Sequence, residues 1–559
     1  MSGVAGATRP VRRTRGVAAA VAVVLLLGAA AGSSWAGASA AVSGAGPLPL
    51  VARVGGHDTV LVAFRPGVRV PARARLVSRP LRIYRMAAPT ALGARTYAAR
   101  LRARRGVVAA APNFVLRSGQ AGAGCLPAPA TVDSALAVAV RADAVVPPDT
   151  TKPIAILDTG VDGTVPELAG KLVTPFNVRG GSDVSDGDGH GTRAAAIAAG
   201  KPGKFRGVSP TSPILPVKVL DAQGEATAED LIKGIDAAVD RGAGVINISS
   251  SGPAGASTED EDQLVQMAIG RAFNRGALVV AAIGNEGLAD LTVPAAYAHV
   301  LSVGAAGGEG RASFSNFGLG LDLLAPGVDL LTPAPATVCP LGYGLASGTS
   351  FAAPAVAGAL ALLDGLRPKL DPSQRFDLIR RSARDLGPRG YDQESGFGVL
   401  DVAAALAAPV PVKDTPEVND HVYWVTGSFA RSHPARLTPK RRRAVLRGTV
   451  EALNDPTDVY PVRLKRGDTF KATLSSSSLG AFAVGLWSPR TPAFALDSDS
   501  QRRRFVVDYV DDSKPVKRLV RSKIPRAGLY FVSVEAPDRD ASNPSYRLVL
   551  ERRGARKKR

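Results

Sequence analysis

Apolar runs of strand length recur through the middle third of the chain and alternate with segments of helical periodicity. Several runs are rich in β-branched residues, which is typical of strands buried on both faces of a parallel sheet. Such a sheet needs connections that cross over its faces. The predicted strands cover residues 154–157, 214–220, 245–248, 278–282 and 300–303.

The segments between these strands carry helix-start and helix-stop signals. Thr227 and Asp230 have the spacing of an N-terminal capping box, an apolar helical face follows, and Gly242 stops the helix. Residues 258–261 repeat the box before a second helix that stops at Gly276. The predicted fold is therefore α/β, with a mostly parallel sheet covered by helices on both faces. In such sheets functional side chains gather at the carboxyl ends of the strands.

The chain on either side of this α/β region has a different pattern. Before it, residues 58–67 predict a strand and turn, 91–104 a helix and 107–115 a final strand, which together make a small α+β segment. After it, residues 409–443 have the composition of a linker, and an all-β sandwich of short strands follows. These strands are predicted at 459–464, 469–474, 482–486, 505–509, 529–534 and 546–550.

The first residues have the pattern of a secretory signal peptide. Four arginines between residues 9 and 15 precede an apolar run at 16–31, and small residues follow it. A run of about 16 residues is short for a membrane span, which favours removal over a retained anchor. No later run is both uncharged and long enough to cross a membrane, since the richest, 351–363, is short and is broken by Pro354. We expect an exported protein and leave the export route open.

Charge is distributed unevenly among these regions. The 559 residues carry a formal charge of +21, but residues 1–150 hold 19 basic and 4 acidic side chains, residues 151–408 hold 20 and 28, and residues 409–559 hold 30 and 16. A basic beginning and end around an acidic middle argue against one continuous phosphate-binding surface, so no nucleic-acid partner is expected. Hydrophobic residues make up 45% of the chain, which excludes a mainly disordered protein despite 60 glycines and 42 prolines.

Three short motifs place reactive side chains where the predicted strands end and helices begin. The sequence IAILDTG brings Asp158 to the end of a strand. The sequence DGDGHGT brings His190 to the start of an Ala-rich helix, and GTSFAAP brings Ser350 to the start of a long apolar helix. A carboxylate, an imidazole and a hydroxyl thus follow one another in the chain order Asp, His, Ser.

These motifs, in this order and on these elements, resemble those of the subtilisin-like serine proteases. The resemblance covers residues from about 150 to 405. It includes AAIGN at 281–285, which is similar to the family's AAAGN, and GFGVLD at 396–401, which is similar to the closing turn of the family's catalytic domain. The resemblance implies a serine endopeptidase that acts on polypeptide substrates and requires no cofactor for its chemistry.

Elementary chemistry assigns roles to the same residues. A serine hydroxyl is a weak nucleophile, so Ser350 needs a base, and His190 is the candidate because imidazole titrates near neutral pH. Asp158 would orient the ring and stabilise the imidazolium. The resemblance implies that the Asn285 amide donates to the oxyanion, with the Ser350 backbone N–H as a second donor. The alternatives are three buried polar residues that act as caps and turns, or a non-catalytic peptide-binding protein that retains the fold.

The chain also departs from the family pattern. Arg193 stands where the family has a second histidine, and we expect it to pair with Asp186 or Asp188 rather than to depress the His190 pKa. The substrate-binding strand, SLGG in the family, reads SSSG here, so no side-chain preference is transferred although a peptide should still add as a β-strand. The substrate-binding candidates are Ser249, Ser250, Ser251, Gly252, Ala282, Ile283 and Gly284.

The region before the α/β domain resembles the family's inhibitory propeptide. Residues 107–115, VVAAAPNFV, are similar to the ending of such propeptides, with Ala111 in place of the usual acid. A basic segment beside an acidic domain supports this interpretation, and a separate basic binding module is the alternative. The expected protein is therefore a self-processing precursor with its own propeptide as inhibitor, cut by its own active site between Arg117 and Gly124.

Cysteines and acidic residues raise two further candidates. An exported protein permits a disulfide between Cys125 and Cys339, with two free thiols as the alternative. No metal site is assigned, because the remaining histidines show no ligand spacing. Asp183, Asp186 and Asp188 leave a structural calcium of the kind common in the family open, although no complete calcium-binding loop follows them.

The C-terminal strands resemble the β-sandwich domains attached to many secreted peptidases, on the stretches 455–460 and 528–534. Their positive charge favours contact with an anionic cell-envelope surface, with a solvated tail as the alternative. We expect a secreted protein, extracellular or associated with the cell envelope. The expected boundaries are 1–38 for the signal peptide, 39–124 for the propeptide, 125–408 for the catalytic domain, 409–443 for the linker, 444–552 for the β-sandwich and 553–559 for the basic tail.

Overall fold

A computed structural model of the protein describes most of the chain from residue 59 to residue 554. The expected signal peptide and the second capping box, at 258–261, lie outside the described residues. These are 59–119, 124–252, 263–308, 310–411, 413, 418–419, 425, 437, 442–450, 457–476, 482–491, 504–511, 516–521, 523–536 and 545–554.

Residues 59–119 form a small α+β unit, which we call the N-terminal module. Strands β2-β3-β1-β4 make an antiparallel sheet in that order. Because side chains alternate along a strand, Val62 and Phe64 pack beneath α1, whereas Leu61 and Ala63 belong to the large core of the α/β domain. The elements are β1 (Thr59–Phe64), β2 (Arg75–Ser78), β3 (Ile83–Ala87), α1 (Gly93–Arg102), β4 (Val107–Pro112) and β5 (Val115–Ser118).

The α/β domain follows. Its elements are β6 (Cys125–Leu126), α2 (Ala135–Ala139), β7 (Ile154–Asp158), β8 (Phe176–Asn177), α3 (His190–Ala199), β9 (Ile214–Lys218), β10 (Glu225–Thr227), α4 (Ala228–Asp240), β11 (Val245–Ile248), β12 (Ser250–Ser251), α5 (Gln263–Asn274), β13 (Leu278–Ala282), β14 (Val300–Gly307), β15 (Gly310–Arg311), β16 (Leu323–Pro326), β17 (Leu330–Pro333), β18 (Tyr343–Ala346), α6 (Thr349–Leu366), α7 (Pro372–Arg381) and α8 (Val402–Ala407).

The central sheet of this domain has the order β15-β14-β13-β11-β7-β9-β8, and β16 also pairs with β14. Strands β9, β7, β11, β13 and β14 pair in parallel and correspond to the five predicted strands. Two helix pairs, α3 with α6 and α4 with α5, pack on the sheet. The predicted capping box begins α4, where the Thr227 hydroxyl accepts from the Asp230 N–H and the Asp230 carboxylate accepts from the Thr227 N–H.

Helix α6 is the long apolar helix predicted from Ser350, and it runs unbroken through Pro354, so only the expected interruption of the apolar run is wrong. Pro354 has no N–H to donate to the carbonyl of Ser350, four residues earlier. The Ser249 hydroxyl donates to that carbonyl instead, at 2.8 Å. The resulting 18-residue helix is long and apolar enough to cross a membrane, the only such helix among the described residues, but most of it is buried in the domain core.

The C-terminal part, which we call the C-terminal module, contains two antiparallel sheets ordered β19-β26-β21-β24 and β20-β25-β22-β23. Side chains from both sheets, Phe470 and Val532 among them, share one apolar core. The six predicted strands are present, and β19 and β24 were missed; β24 is an edge strand whose sequence, VKRLVR, has no regular alternation of charged and apolar residues. The strands are β19 (Arg443–Thr449), β20 (Thr457–Leu464), β21 (Thr469–Ser476), β22 (Ala483–Trp487), β23 (Val506–Val510), β24 (Val516–Arg521), β25 (Gly528–Glu535) and β26 (Ser545–Arg553).

Candidate active site

Asp158 and His190 meet at the carboxyl edge of the central sheet. Asp158 is the last residue of β7, His190 is the first residue of α3, and both side chains are fully buried. The Asp158 Oδ1 atom lies 2.8 Å from Nδ1 of His190 and also accepts from the Thr159 N–H at 2.8 Å. An Nδ1–H that donates to Asp158 leaves Nε2 as the basic nitrogen of the ring.

Asp186 fixes the turn that delivers His190, a role that motif analysis did not give it. Its Oδ1 atom accepts from the Thr159 hydroxyl and the Gly189 N–H, both at 2.8 Å. Its Oδ2 atom accepts from the Thr192 N–H at 2.8 Å and the Thr192 hydroxyl at 2.6 Å. Asp186 therefore ties the end of β7 to the first turn of α3, and Gly189 completes the turn with a φ of 89°, which favours glycine.

These contacts argue against calcium at Asp183, Asp186 and Asp188. Both oxygens of Asp186 already accept from protein donors, and one oxygen of Asp188 accepts from the His190 N–H at 3.1 Å. Within the described part of the chain, no three or more His, Cys, Asp or Glu side chains are arranged to hold a metal ion. Asp183 likewise accepts from the Ser185 N–H at 2.9 Å, so these three carboxylates serve the turns of their own loop and are not arranged as a calcium site.

The acidic surroundings raise the pKa of His190. Burial alone lowers the pKa of this ring, because it disfavours the charged form. The Asp158 carboxylate opposes burial through its charge and its hydrogen bond, and the charges of Asp188 and Asp186 add to it. The net direction is upward, so the imidazolium that forms when His190 accepts a proton is stabilised.

Arg193 does not make the expected pair with Asp186 or Asp188. Its side chain is buried beneath β17, where Nη1 donates to the Thr332 hydroxyl at 2.9 Å, and it forms no ion pair with any described carboxylate. Burial lowers its pKa, while the more distant charges of Asp186 and Asp188 raise it. Arg193 therefore links α3 to a neighbouring strand through a neutral hydroxyl.

Ser350 is the second residue of α6 and lies beside His190. The ring of His190 is 5.0 Å from the ring of Phe351, the residue that follows Ser350. Both the Ser350 Oγ atom and the His190 Nε2 atom are buried, and neither has a hydrogen-bond partner among the described residues. These two atoms are therefore hydrogen-bonded neither to each other nor to another described group.

Asn285 is oriented by the residue that precedes Ser350. The Thr349 N–H and the Thr349 hydroxyl both donate to the Asn285 Oδ1 atom, at 2.8 and 2.9 Å. Holding the carbonyl end of the amide in this way turns its NH₂ group toward the groove beside Ser350. A backbone N–H at a helix start and a side-chain amide next to a hydroxyl are the donors that an oxyanion requires.

Asn316 braces the loop that carries Asn285, and sequence reasoning missed it. This fully buried side chain accepts through Oδ1 from the N–H groups of Glu286 and Leu288, both at 3.0 Å. Its Nδ2 donates to the Ile283 carbonyl at 3.2 Å and to the Glu286 carboxylate at 2.8 Å. Its surrounding sequence, SFSNFG, carries no motif that signals this role, because the contact joins segments about 30 residues apart.

Strand β5 leaves the N-terminal sheet and lies in the groove beside Ser350. The single strand predicted at 107–115 is therefore wrong: it ends at Pro112, and β5 becomes the middle strand of a separate sheet, β10-β5-β12. Ser250 and Ser251, predicted to bind substrate, pair antiparallel with this strand of the same chain. The groove thus holds an extended segment between two strands, as a peptide substrate would be held.

The other substrate-binding candidates have different surroundings. Ser249 donates to the Ser350 carbonyl and accepts from the Asn247 amide at 2.9 Å. Gly252 donates its N–H to the Val293 carbonyl at 2.7 Å. Ala282, Ile283 and Gly284 are buried behind the groove, with Gly284 at a φ of 107° that favours glycine. Ser249 therefore supports the first turn of α6.

Cys125 and Cys339 form a disulfide. Cys125 belongs to β6, which pairs with β18 next to β17. This places the start of the α/β domain on the same small sheet that covers Arg193.

Comparison with known proteins identifies the family of the α/β domain. The Subtilase family (peptidase S8) matches residues 150–398. Subtilisin Savinase from Lederbergia lenta is 35% identical over 262 residues, which are 45% of this chain and 89% of that protein. A thermophilic serine proteinase from Bacillus sp. (strain AK1) is 40% identical over 38% of this chain and 51% of its own length, and the cell wall-associated protease of Bacillus subtilis (strain 168) is 35% identical over 48% of this chain and 29% of its own length.

The chain belongs to the subtilase family and is a serine endopeptidase with the α/β subtilisin fold. Members of this family act on polypeptide substrates and need no cofactor for catalysis.

Proposed function

We propose that this protein is a secreted serine endopeptidase in which Ser350 is the nucleophile, His190 the general base and Asp158 the residue that orients the base. Asn285 and the Ser350 backbone N–H receive the oxyanion. The observation that carries the proposal is the buried 2.8 Å contact of Asp158 with His190 beside a Ser350 hydroxyl that no other described group engages.

The proposal includes synthesis as a precursor that processes itself. The N-terminal module is its propeptide and inhibitor, because β5 fills the groove in which a substrate would lie. Its 13 arginines and absence of acidic residues between positions 59 and 119 complement the acidic α/β domain. Arg85 contacts Glu229 at 3.1 Å and Arg117 contacts Glu225 at 2.8 Å across this boundary.

Export and an extracellular or envelope location form part of the same proposal. The N-terminal pattern of a signal peptide and the disulfide between Cys125 and Cys339 support an oxidising compartment. The basic C-terminal module would serve contact with an anionic envelope surface.

The test compares Ser350→Ala with Ser382→Ala, a control at the end of α7. We expect the wild type and the control to release the N-terminal module and to react covalently with a fluorophosphonate probe, whereas Ser350→Ala does neither. A wild type that is processed yet never labelled would instead support a peptide-binding protein that keeps the fold without catalysis.

A further inference from the structure

We propose that maturation cuts the peptide bond that follows Gly119 and that the site before the cut selects glycine. The inference rests on the proposed function and adds to it the exact bond and the substrate class. Three features carry it: the register of β5, the approach of Gly119 to the reactive groups and the crowding around its Cα.

The register leads the chain to the nucleophile. Strand β5 runs antiparallel to β12, with Arg117 opposite Ser251 and Ser118 opposite Ser250. One further step brings Gly119 level with Ser249, whose hydroxyl contacts the Ser350 carbonyl at 2.8 Å. The residue after β5 therefore reaches the start of α6.

Contacts on the other edge of β5 hold this register. The Ser118 N–H donates to the Gly224 carbonyl at 2.8 Å, and Arg117 reaches Glu225 at 2.8 Å at the surface. Leu116 points the opposite way and is fully buried in the domain core. A slip of one residue would expose the leucine and bury the arginine, so the pairing is strongly specified.

Gly119 lies between the nucleophile and the oxyanion donor. A Cβ atom built on it would come 2.8 Å from the Ser350 Oγ atom and 3.2 Å from the Asn285 Nδ2 atom. The Cα of this residue therefore lies near the Ser350 hydroxyl and the Asn285 amide. The carbonyl carbon bonded to that Cα is the one we assign to attack, with the Asn285 amide as its oxyanion donor.

The same distances explain why glycine stands here. A contact of 2.8 Å is too short for a Cβ atom, so any side chain would have to push the Ser350 hydroxyl aside. Displacing the nucleophile by a fraction of an ångström lowers the rate of attack. We therefore expect the mature enzyme to favour peptides with glycine before the cut, a narrower class than the fold alone implies.

Cleavage after Gly119 would proceed as an ordinary acyl transfer to Ser350. The Ser350 Oγ atom attacks the Gly119 carbonyl carbon and gives its proton to His190. His190 passes that proton to the amine of residue 120 as the peptide bond breaks. Water then hydrolyses the ester between Gly119 and Ser350, which leaves a Gly119 carboxylate and the free hydroxyl.

The experiment uses the full chain with Gly119→Phe and, as a matched control, Gly122→Phe, the same change at the next glycine along the chain. We expect the processed wild type and the control to begin at residue 120, and Gly119→Phe to mature at least about 100-fold more slowly. Because Gly119 leaves with the N-terminal module, this change does not alter the mature enzyme. Thermal unfolding of Gly119→Phe on the Ser350→Ala background checks that the slowed precursor is folded.

A second measurement uses the mature wild type with two peptides that differ only before the bond, VLRSGQ and VLRSFQ. We expect the glycine peptide to be cut at least about tenfold faster in kcat/KM. A wild-type product that begins at another residue, normal maturation of Gly119→Phe, or equal cleavage of the two peptides would overturn the inference. Processing elsewhere that still requires Ser350 leaves the proposed function intact, whereas processing that persists in Ser350→Ala without probe labelling overturns the proposed function.

Discussion

The two walls of the groove are built by different means. On one wall, His190 is held by carboxylates: Asp158 contacts its ring, while Asp186 and Asp188 hold its backbone turn and raise its pKa. On the other wall, Asn285 and Ser350 are held by neutral hydrogen bonds from Thr349 and Ser249, and the neutral amide of Asn316 braces the loop that carries Asn285. The charged wall should control how the rate varies with pH, and the neutral wall should control how large the rate is.

The largest expected effect lies on the neutral wall, with Asn285→Ala. Losing the amide should lower kcat about 100- to 1,000-fold, the magnitude known for the corresponding donor in subtilisin. Because no charge is removed, the pH midpoint of kcat/KM should not move. Steady-state kinetics across pH measures both quantities. A shifted midpoint, or a loss of less than about tenfold, would contradict the division between the walls.

A smaller effect is expected for Asn316→Ala, which removes the hydrogen bonds that brace the loop carrying Asn285. Asn316 itself does not contact the substrate groove. We expect kcat to fall about tenfold with little change in KM, since a misplaced donor costs more in the transition state than in the ground state. The double variant with Asn285→Ala should be no slower than Asn285→Ala alone. If the two losses in kcat add, Asn316 does not act through Asn285. A lowered unfolding temperature would show that Asn316→Ala acts by destabilising the fold.

The smallest effect is expected on the charged wall, with Asp188→Asn. The pKa of His190 is raised in the folded protein, and the ring must be neutral to accept a proton. Activity should therefore fall, as pH decreases, through a midpoint above the ordinary histidine value. Removing the Asp188 charge should move that midpoint down by a fraction of a pH unit, while asparagine can still accept from the His190 N–H. An unchanged or higher midpoint would contradict the electrostatic account of this wall.

The sequence motifs point to the candidate reacting groups but not to the groups that hold them. Asp158, His190, Ser350 and Asn285 stand in motifs whose residue types are required by the proposed chemistry, and each falls at the end of a strand or the start of a helix. Asn316 has no such motif, because its partners are about 30 residues away in the chain. The local sequence does not distinguish an asparagine that braces a loop from any other buried asparagine. Arg193 was expected to form an ion pair with Asp186 or Asp188 because both acids are close to it in the sequence. In the structure, both carboxylate oxygens of Asp186 accept hydrogen bonds within the turn instead.

The sequence pattern also predicted local elements of the fold better than contacts between distant parts of the chain. Apolar periodicity predicted the parallel strands and α4, since burial on both faces leaves a continuous apolar run. It could not divide residues 107–115 into two strands, because the pattern stays extended while the pairing partner changes from β1 to β10 and β12. Helix α6 was predicted as a long apolar helix, but the Ser249 hydroxyl that replaces the missing donor of Pro354 was not, because it lies about 100 residues earlier in the chain.

The position of Cys125 in the chain decides what happens after a cut that follows Gly119. The disulfide to Cys339 stays entirely within the enzyme, so the released N-terminal module has no covalent tie to the groove. A cut beyond Cys125 would leave the two linked at an effective concentration in the millimolar range, which dilution could not lower. Because Cys125 comes shortly after Gly119 and not before it, the proposed cut would yield an enzyme whose inhibition could be relieved by dilution alone.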